Sequence, residues 1–437
     1  MTPTTTAQRP ALFGLVDVNN FYVSSERACN PRLAKVPVVV LSSNDACIVA
    51  RSNEVKALGI KMGVPWFQVK QLARQHHIVA LSSNYALYGD MSNRVVSILR
   101  DFCPDVEVYS IDEAFLRVET VAHLYGGTSA MGHAMRDRIR QWTTLPVCAG
   151  FGPSKTLAKF ANHLAKKNDV FHGVCDLASM PTSEVEGWMA QYEVGEVWGV
   201  GRRISVRLEA MGIRSVLDLA KADPKAIRAQ FGVVLERTVQ ELCGVSCLGL
   251  EELIEPKQQI IASRSFGALV YELSELSQAL ALHVDRAACK LRGQEYIASA
   301  LYVFIQTNRF RVTDPQYNPG TVVPLTNASD DTCSLTHAAL QGLKRIYKRG
   351  YAYKKCGVVL MGLTPKKARQ ITLFESPAAL NRSTRLMGAM DAVNQVFGRG
   401  TLVTAAASAT GRWAMRSEHC SGRFTTRWDE LPRAGGG

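Results

Sequence analysis

The chain has 437 residues, of which 47% are apolar, and a net charge of +13 at neutral pH. That length exceeds what one hydrophobic core supports and asks for two to four domains. No apolar run approaches the ~18 residues that cross a bilayer, and the positive balance favours an anionic partner over a membrane-embedded or acidic-tail role.

Residues 1–10 are polar, lack the charged-then-apolar order of a secretory leader, and read as a loose tail. Residues 11–24 read as a strand running into a helix start. A strand over 36–43 has its antiparallel partner at 46–50. A short helix over 52–58 stops at Gly59, and another covers 65–74. Leu87, Met91, Val95, Ile98 and Leu99 recur at helical spacing through 85–102. Residues 106–110 and 113–118 form a hairpin. A helix over 132–142, a strand over 147–151 and a helix over 155–167 follow. This alternation predicts a mixed α+β domain interrupted by a small lobe at 25–87. Residues 180–245 turn mostly helical, and the acidic, Pro256-containing stretch 246–259 reads as a linker. Strands over 260–266, 298–306 and 353–363, with helices over 276–292 and 336–348, predict a second small α+β domain. Beyond Thr364 the pattern weakens. Residues 344–437 nevertheless hold 17 Lys/Arg against 5 Asp/Glu, a surface for phosphate backbones or a solvated basic tail. The eleven cysteines are scattered and odd in number, with only Cys243 and Cys247 close together, which argues for reduced thiols in a cytoplasmic protein.

Two acidic motifs carry the chemistry. Leu15-Val-Asp17-Val18-Asn-Asn-Phe21-Tyr22 and Val108-Tyr-Ser-Ile-Asp112-Glu113-Ala-Phe115 each set carboxylates beside a strand-like run. A lone Asp at a strand end is ordinarily a turn former. Strands that gather Asp17, Asp112 and Glu113 would instead make an oxygen cage for Mg²⁺, completed by water and substrate phosphates. Two such ions suit in-line nucleotidyl transfer. Gly199-Val200-Gly201 before Arg202 and Arg203 offers helix N-terminal N–H groups to a phosphate, although most Gly-x-Gly sequences are plain turns. Gln370-Ile-Thr-Leu373-Phe374 has the form of a short extended peptide whose apolar side chains fill a partner's pocket.

These motifs, in this order, resemble the palm of Y-family, translesion DNA polymerases, and among them the UmuC-type catalytic subunit of bacterial DNA polymerase V. The resemblance runs from about residue 11 nearly to the C-terminus. It implies a right-hand-like, multidomain α+β polymerase. The ferredoxin-like palm would be 11–24 with 88–178, the small fingers 25–87, and the thumb 179–245 with a helix-hairpin-helix near 193–212. The little finger would be 260–364, and 365–437 a basic C-terminal extension. It implies Asp17, Asp112 and Glu113 as catalytic metal ligands for two Mg²⁺ ions, with the backbone carbonyl of Val18 as a further ligand. Tyr22, five residues after Asp17, is the steric gate against a ribose 2′-hydroxyl, and Phe21 packs or stacks beside it. By the resemblance Lys56 and Lys166 are expected to contact the incoming triphosphate, while Lys159 is expected to meet DNA or solvent. Where many members carry Tyr and Arg three residues apart in the fingers, this chain has Asn53 and Lys56, a point charge in place of a bidentate fork. Asn19 replaces the Asp of several branches. The resemblance further implies that Gly199 to Arg203 bind DNA and that Gln370, Leu373 and Phe374 bind the β sliding clamp. The further partners implied are primer–template DNA, deoxynucleoside triphosphates, a processed UmuD-type dimer and a RecA-type filament, in a nucleoid-associated protein of the SOS response.

Two rival readings are a non-catalytic, DNA-bound accessory subunit and a nucleotide cyclase. The first has no use for three retained carboxylates. The second has none for the basic tail, the Gly-Val-Gly turn or the peptide at 370–374.

Overall fold

The computed structural model describes residues 10–250, 257–370, 376–407, 411 and 413–431. Among them, twelve strands follow in chain order: β1 Phe13–Val18, β2 Val38–Leu41, β3 Ile48–Arg51, β4 Val79–Ser82, β5 Val106–Val108, β6 Glu113–Arg117, β7 Val147–Gly152, β8 Val174–Asp176, β9 Ile260–Val270, β10 Tyr296–Thr307, β11 Gly320–Ser329 and β12 Tyr353–Pro365. They build a five-stranded sheet ordered β5-β6-β1-β7-β8, a three-stranded sheet β3-β2-β4 and a four-stranded sheet β11-β10-β12-β9. The chain divides into two compact units: Met1–Ser42 with Cys47–Ile254 and His419–Gly437, and Ser43–Ala46 with Glu255–Glu418.

In the first unit β1 is central, and all six of its residues are buried. A strand covered on both faces needs apolar residues at both parities, and Phe-Gly-Leu-Val-Asp-Val supplies them. Val16 and Val18 pack with Met91, Val95, Met131 and Met135 from the helices Tyr85–Phe102 and Thr128–Thr143. Phe13 and Leu15 pack on the other side with Phe115 and Ala158 of the helix Lys155–Lys167. That helix lies very close to β7. A Cβ built on Gly150 would stand 2.1 Å from the Asn162 nitrogen and 2.5 Å from the Ala158 oxygen. Only glycine permits this approach. Asn162 then ties helix to sheet by donating to the carbonyls of Cys148 (2.8 Å) and Leu15 (3.3 Å).

The expected pairing within the small lobe is present: β2 is antiparallel to β3, and β4 adds a parallel third strand that the sequence did not announce. The limits expected at 24/25 and 87/88 fall inside the helices Phe21–Cys29 and Tyr85–Phe102. Residues from both helices, Val23 and Leu87 among them, belong to the core of the large sheet. Short helices from Thr182 to Leu242 close over a separate apolar cluster, matching the helical reading of 180–245.

The second unit is the expected α+β domain, with helices Leu273–Arg292 and Thr332–Ile346 packed on its sheet. Two of its elements were not legible. Strand β11 carries Pro324 and lies at the sheet edge, where a missing N–H is tolerated. The helix Pro377–Phe397 buries only Met387 and Met390, so no apolar stripe betrays it. It is held by Arg292, whose fork grips Asp391 at 2.6 and 2.7 Å while its third nitrogen donates to the Asp330 carbonyl and the Thr332 hydroxyl.

Candidate active site

Asp17 is the penultimate residue of β1 and Glu113 opens β6, and the antiparallel register sets them side by side. Both lie on the face turned to the helix Lys155–Lys167, the face of Leu15 and Phe115, because strand residues two apart share a side. Asp17 is buried to 7% exposure. Burial pushes its carboxyl up to about 7. Lys166, 2.5 Å away, pulls it back down, and the neighbouring Glu113 charge adds to the rise.

Asp112 precedes β6 in a bend and lines a small cleft with Val16, Val18, Ser92 and Glu113. The Ser110 hydroxyl donates to its Oδ1 at 2.5 Å, and its backbone carbonyl accepts from the Val18 N–H at 2.9 Å. Among the described residues no group of three acidic, His or Cys side chains converges on one point. Of the three expected carboxylates, the register pairs Asp17 with Glu113, while Asp112, next to Glu113 in the chain, has its Oδ1 engaged by the Ser110 hydroxyl.

Two ammonium groups stand on the carboxylates. Lys166 pairs with Asp17, and Lys159 donates to both oxygens of Glu113 at 2.9 Å. Lys159 was expected at DNA or solvent. One turn of helix and the close approach over Gly150 place it in the site instead. Its ammonium also lies 4.7 Å from the ring centre of Tyr109 and 5.4 Å from that of Trp198. Trp198 donates to the Tyr109 hydroxyl at 3.2 Å. With Asp17, Glu113, His163 and the two lysines, it lines a pocket of about 130 Å³. Sequence reasoning missed Trp198, since its neighbours Gly199 to Arg203 drew the turn toward phosphate binding and only the tertiary fold brings it to Glu113. The donor set fits a hard divalent cation: two carboxylate oxygens, one buried at a cost to its charged form, already drawing cations from the lysine side chains.

Asn20, in a left-handed turn at φ 51°, swings the chain from β1 into the helix Phe21–Cys29; Asn adopts this conformation more readily than most residues. Phe21 goes into the core at 3% exposure and Tyr22 stays at the surface of the site. The Tyr22 ring stacks on Tyr88 at 4.4 Å and meets Tyr85 edge-on at 6.2 Å. Its phenol is raised by burial, then by Tyr85 and Asp112. Asn53 is used by the fold, accepting from the Asn20 amide at 3.0 Å. Lys56 is exposed, and its ammonium is lowered by burial first and then by the positive charges of Arg51, Lys166 and Lys167. A cationic cluster thus lies beside the carboxylate pair.

Farther along the same unit, Gly199 takes a φ of 87°, and Gly201 precedes the helix Arg202–Ala210, whose first turn exposes Arg202 and Arg203. Val200 is a correction. Its side chain is buried at 6% and its N–H donates to the Val197 carbonyl, so it anchors the turn and offers nothing to DNA. In the other unit Gln370 is exposed, whereas Leu373 and Phe374 lie outside the described residues.

The fold is that of the Y-family DNA polymerases. A Y-family polymerase chimera of solved structure superposes with a TM-score of 0.61 at 20% identity, over 80% of this chain and 99% of that one. The insertion ternary complex of Dbh DNA polymerase gives 0.50 at 19% identity, over 80% and 98%. The model of the impB/mucB/samB family matches residues 16–163, that of the family's C-terminal domain matches 257–373, and a domain of unknown function matches 384–434. The protein SamB of Salmonella typhimurium is 43% identical over 97% of this chain and 99% of its own length, and UmuC of the same species is 42% identical over 97% and 100%. DNA polymerase IV of Desulfatibacillum aliphaticivorans is 27% identical over 90% and 95%. The chain belongs to the impB/mucB/samB family, the UmuC-type branch of the Y-family polymerases.

Proposed function

We infer that the chain is a DNA-directed DNA polymerase that carries out error-prone, translesion synthesis. The observation that carries the reading is the Asp17–Glu113 pair at the mouth of the central strands, flanked by Lys159 and Lys166, in a chain of the UmuC-type family. A non-catalytic scaffold would have no use for two carboxylates paired side by side at a pocket lined by Lys159 and Lys166.

Asp17 and Glu113 would hold two Mg²⁺ ions, with the Val18 carbonyl as a further oxygen and Asp112 as the third carboxylate at the edge of the site. Bound there, such ions supply a primer hydroxyl of lowered pKa and a counter-charge for the leaving phosphate. The chain's own groups position the reactants. Lys56 and Lys166 draw the triphosphate toward the carboxylate pair, and Lys159 holds the Glu113 carboxylate in one orientation. Tyr22 closes the site on the sugar side, its ring set where a ribose 2′-hydroxyl would collide, with Phe21 packed beneath it. Such catalysis is positioning and electrostatics with little covalent work by the protein. The small three-stranded lobe presses lightly on the nascent pair, which suits an open site that tolerates damaged templates at low fidelity.

Gly199, Gly201, Arg202 and Arg203 bind template or primer phosphates, and Gln370, Leu373 and Phe374 engage the β sliding clamp. A processed UmuD-type dimer and a RecA-type filament complete the assembly on the nucleoid. Among the described residues no helix is long and apolar enough to cross a membrane.

The test is primer extension by the purified chain with Mg²⁺ and the four deoxynucleotides, alone and then with clamp and UmuD-type dimer. Extension that disappears in Asp17→Asn is the expected result. A wild-type chain that binds primer–template yet extends it under neither condition overturns the polymerase reading in favour of a scaffold.

A further inference from the structure

The domain of unknown function at 384–434 ends in a segment that packs in the first unit, against the aromatic wall of the nucleotide site. His419 and Ser82 exchange bonds: the Ser82 N–H donates to the His419 carbonyl and the His419 N–H to the Ser82 hydroxyl, both at 3.0 Å. The Asn84 amide donates to the Ser421 hydroxyl at 2.9 Å, and to the Ser421 and Gly422 carbonyls at 3.2 and 3.0 Å. The Ser421 hydroxyl in turn donates to Glu26 Oε1 at 3.0 Å. That same oxygen accepts from the Tyr88 hydroxyl at 2.7 Å.

Each receiving group is sealed from water: Ser82 at 1% exposure, Asn84 at 3%, Glu26 at 1% and Tyr88 at 0%. A buried carboxylate needs its donors, because an unmet lone pair in the interior costs more than a bond there gains. Glu26 finds two, one from the palm helix and one from the tail. Glu26 also lies four residues after Tyr22 on the same helix, and residues at that spacing share a face. Tyr88, fixed at its hydroxyl by Glu26, is the ring on which Tyr22 stacks, nearly parallel at 13°. Two residues, Glu26 and Tyr88, therefore link Ser421 to Tyr22.

We propose that the C-terminal segment 419–422, through the Ser421 hydroxyl, is a positioning element for the sugar-selecting wall. It holds Glu26 and Tyr88 so that the Tyr22 ring keeps its place. This rests on the reading of Tyr22 as the steric gate. It gives the extension a part in substrate selection, exercised from behind the site and without touching the nucleotide. Removing the hydroxyl leaves Glu26 short of one donor and frees the Tyr88–Tyr22 stack to shift, so a ribose 2′-hydroxyl is rejected less well.

The experiment compares kcat/KM for a ribonucleoside and a deoxyribonucleoside triphosphate in single-nucleotide insertion. It uses the full chain, with whichever partners its extension requires. Ser421→Ala should raise ribonucleotide acceptance relative to deoxyribonucleotide by about fivefold, the factor carried by one net hydrogen bond, while deoxyribonucleotide insertion stays near wild type. Ser421→Thr, which keeps the hydroxyl, should restore the ratio, and Tyr88→Phe, which keeps the ring and loses the bond to Glu26, should mimic Ser421→Ala. Tyr22→Ala should relax the ratio further, and adding Ser421→Ala to it should change nothing more, since the tail acts through that ring. A ratio unmoved by Ser421→Ala and Tyr88→Phe, where Tyr22→Ala does relax it, overturns the role of the tail and leaves the gate standing. A ratio unmoved by Tyr22→Ala overturns the gate and the tail's role together.

Discussion

At the scale of single residues, the site is a balance of two carboxylates and two ammonium groups held in a partly buried pocket. Asp17→Asn and Glu113→Gln should each slow primer extension by at least about 100-fold, since even second-layer partners of a metal ligand cost 10- to 100-fold. Gel-shift binding of primer–template should survive both. Lys159→Met should do less, on the order of tenfold, because it removes the group that orients Glu113 and spares the ligand itself; steady-state insertion kinetics would show it as a lower kcat with little change in DNA affinity. The neighbouring Lys155–Glu107 pair, with both side chains under 10% exposed, belongs to the support of this face. The Lys155 ammonium also lies 5.0 Å from the Phe115 ring centre.

At the scale of elements, the helix Lys155–Lys167 carries both active-site lysines, and its closeness to β7 depends on Gly150. Gly150→Ala would drive a methyl into the backbone of Ala158 and Asn162. Over-packing of this kind costs about 2 kcal/mol. A lower urea midpoint together with weakened insertion would show that stability and catalysis share this contact. In the second unit the helix Leu273–Arg292 buries His283 at 2% exposure. Burial, with Arg286, Arg264 and Lys355 adding repulsion, pushes its imidazole down from 6.5 to about 4. The unfolded chain therefore binds this proton more readily than the folded one. The stability contribution is full above about 6.5 and drains as pH falls toward 4, by up to about 3 kcal/mol. Denaturant melts between pH 7 and 4 should show the slope, and His283→Phe should flatten it.

At the scale of the whole molecule, charge is the property that meets DNA. The basic excess lies in residues 344–437, and the first turn of the helix Arg202–Ala210 exposes Arg202 and Arg203. Binding to primer–template should weaken steeply with salt, and Arg202→Ala should lower the slope of log affinity against log salt by about one, the signature of a single lost phosphate contact. Fluorescence anisotropy across a salt series checks it. The polymerase motifs were legible because their chemistry is local: Asp17 to Tyr22 and Ser110 to Phe115 are each continuous in sequence. So were the long amphipathic helices and the buried strands, whose periodicity survives in any context. The helix Pro377–Phe397 was not, since it is held by the Arg292–Asp391 fork and two methionines and carries no stripe.

The sequence by itself determined the class of protein, the identity of the acidic motifs, the aromatic at Tyr22 and the helical and stranded order of most of the chain. These rest on residue type and spacing along one segment. Tertiary structure alone decided that Asp17 meets Glu113, that Ser110 engages Asp112, that Lys159 and Trp198 enter the site, that Val200 is core, and that Ser421 reaches the residues behind Tyr22. Apart from the Ser110 bond, each of these is a contact between segments far apart in the chain, fixed by strand register, by which face a side chain takes and by how closely Gly150 lets a helix approach. No pattern within one segment carries that information.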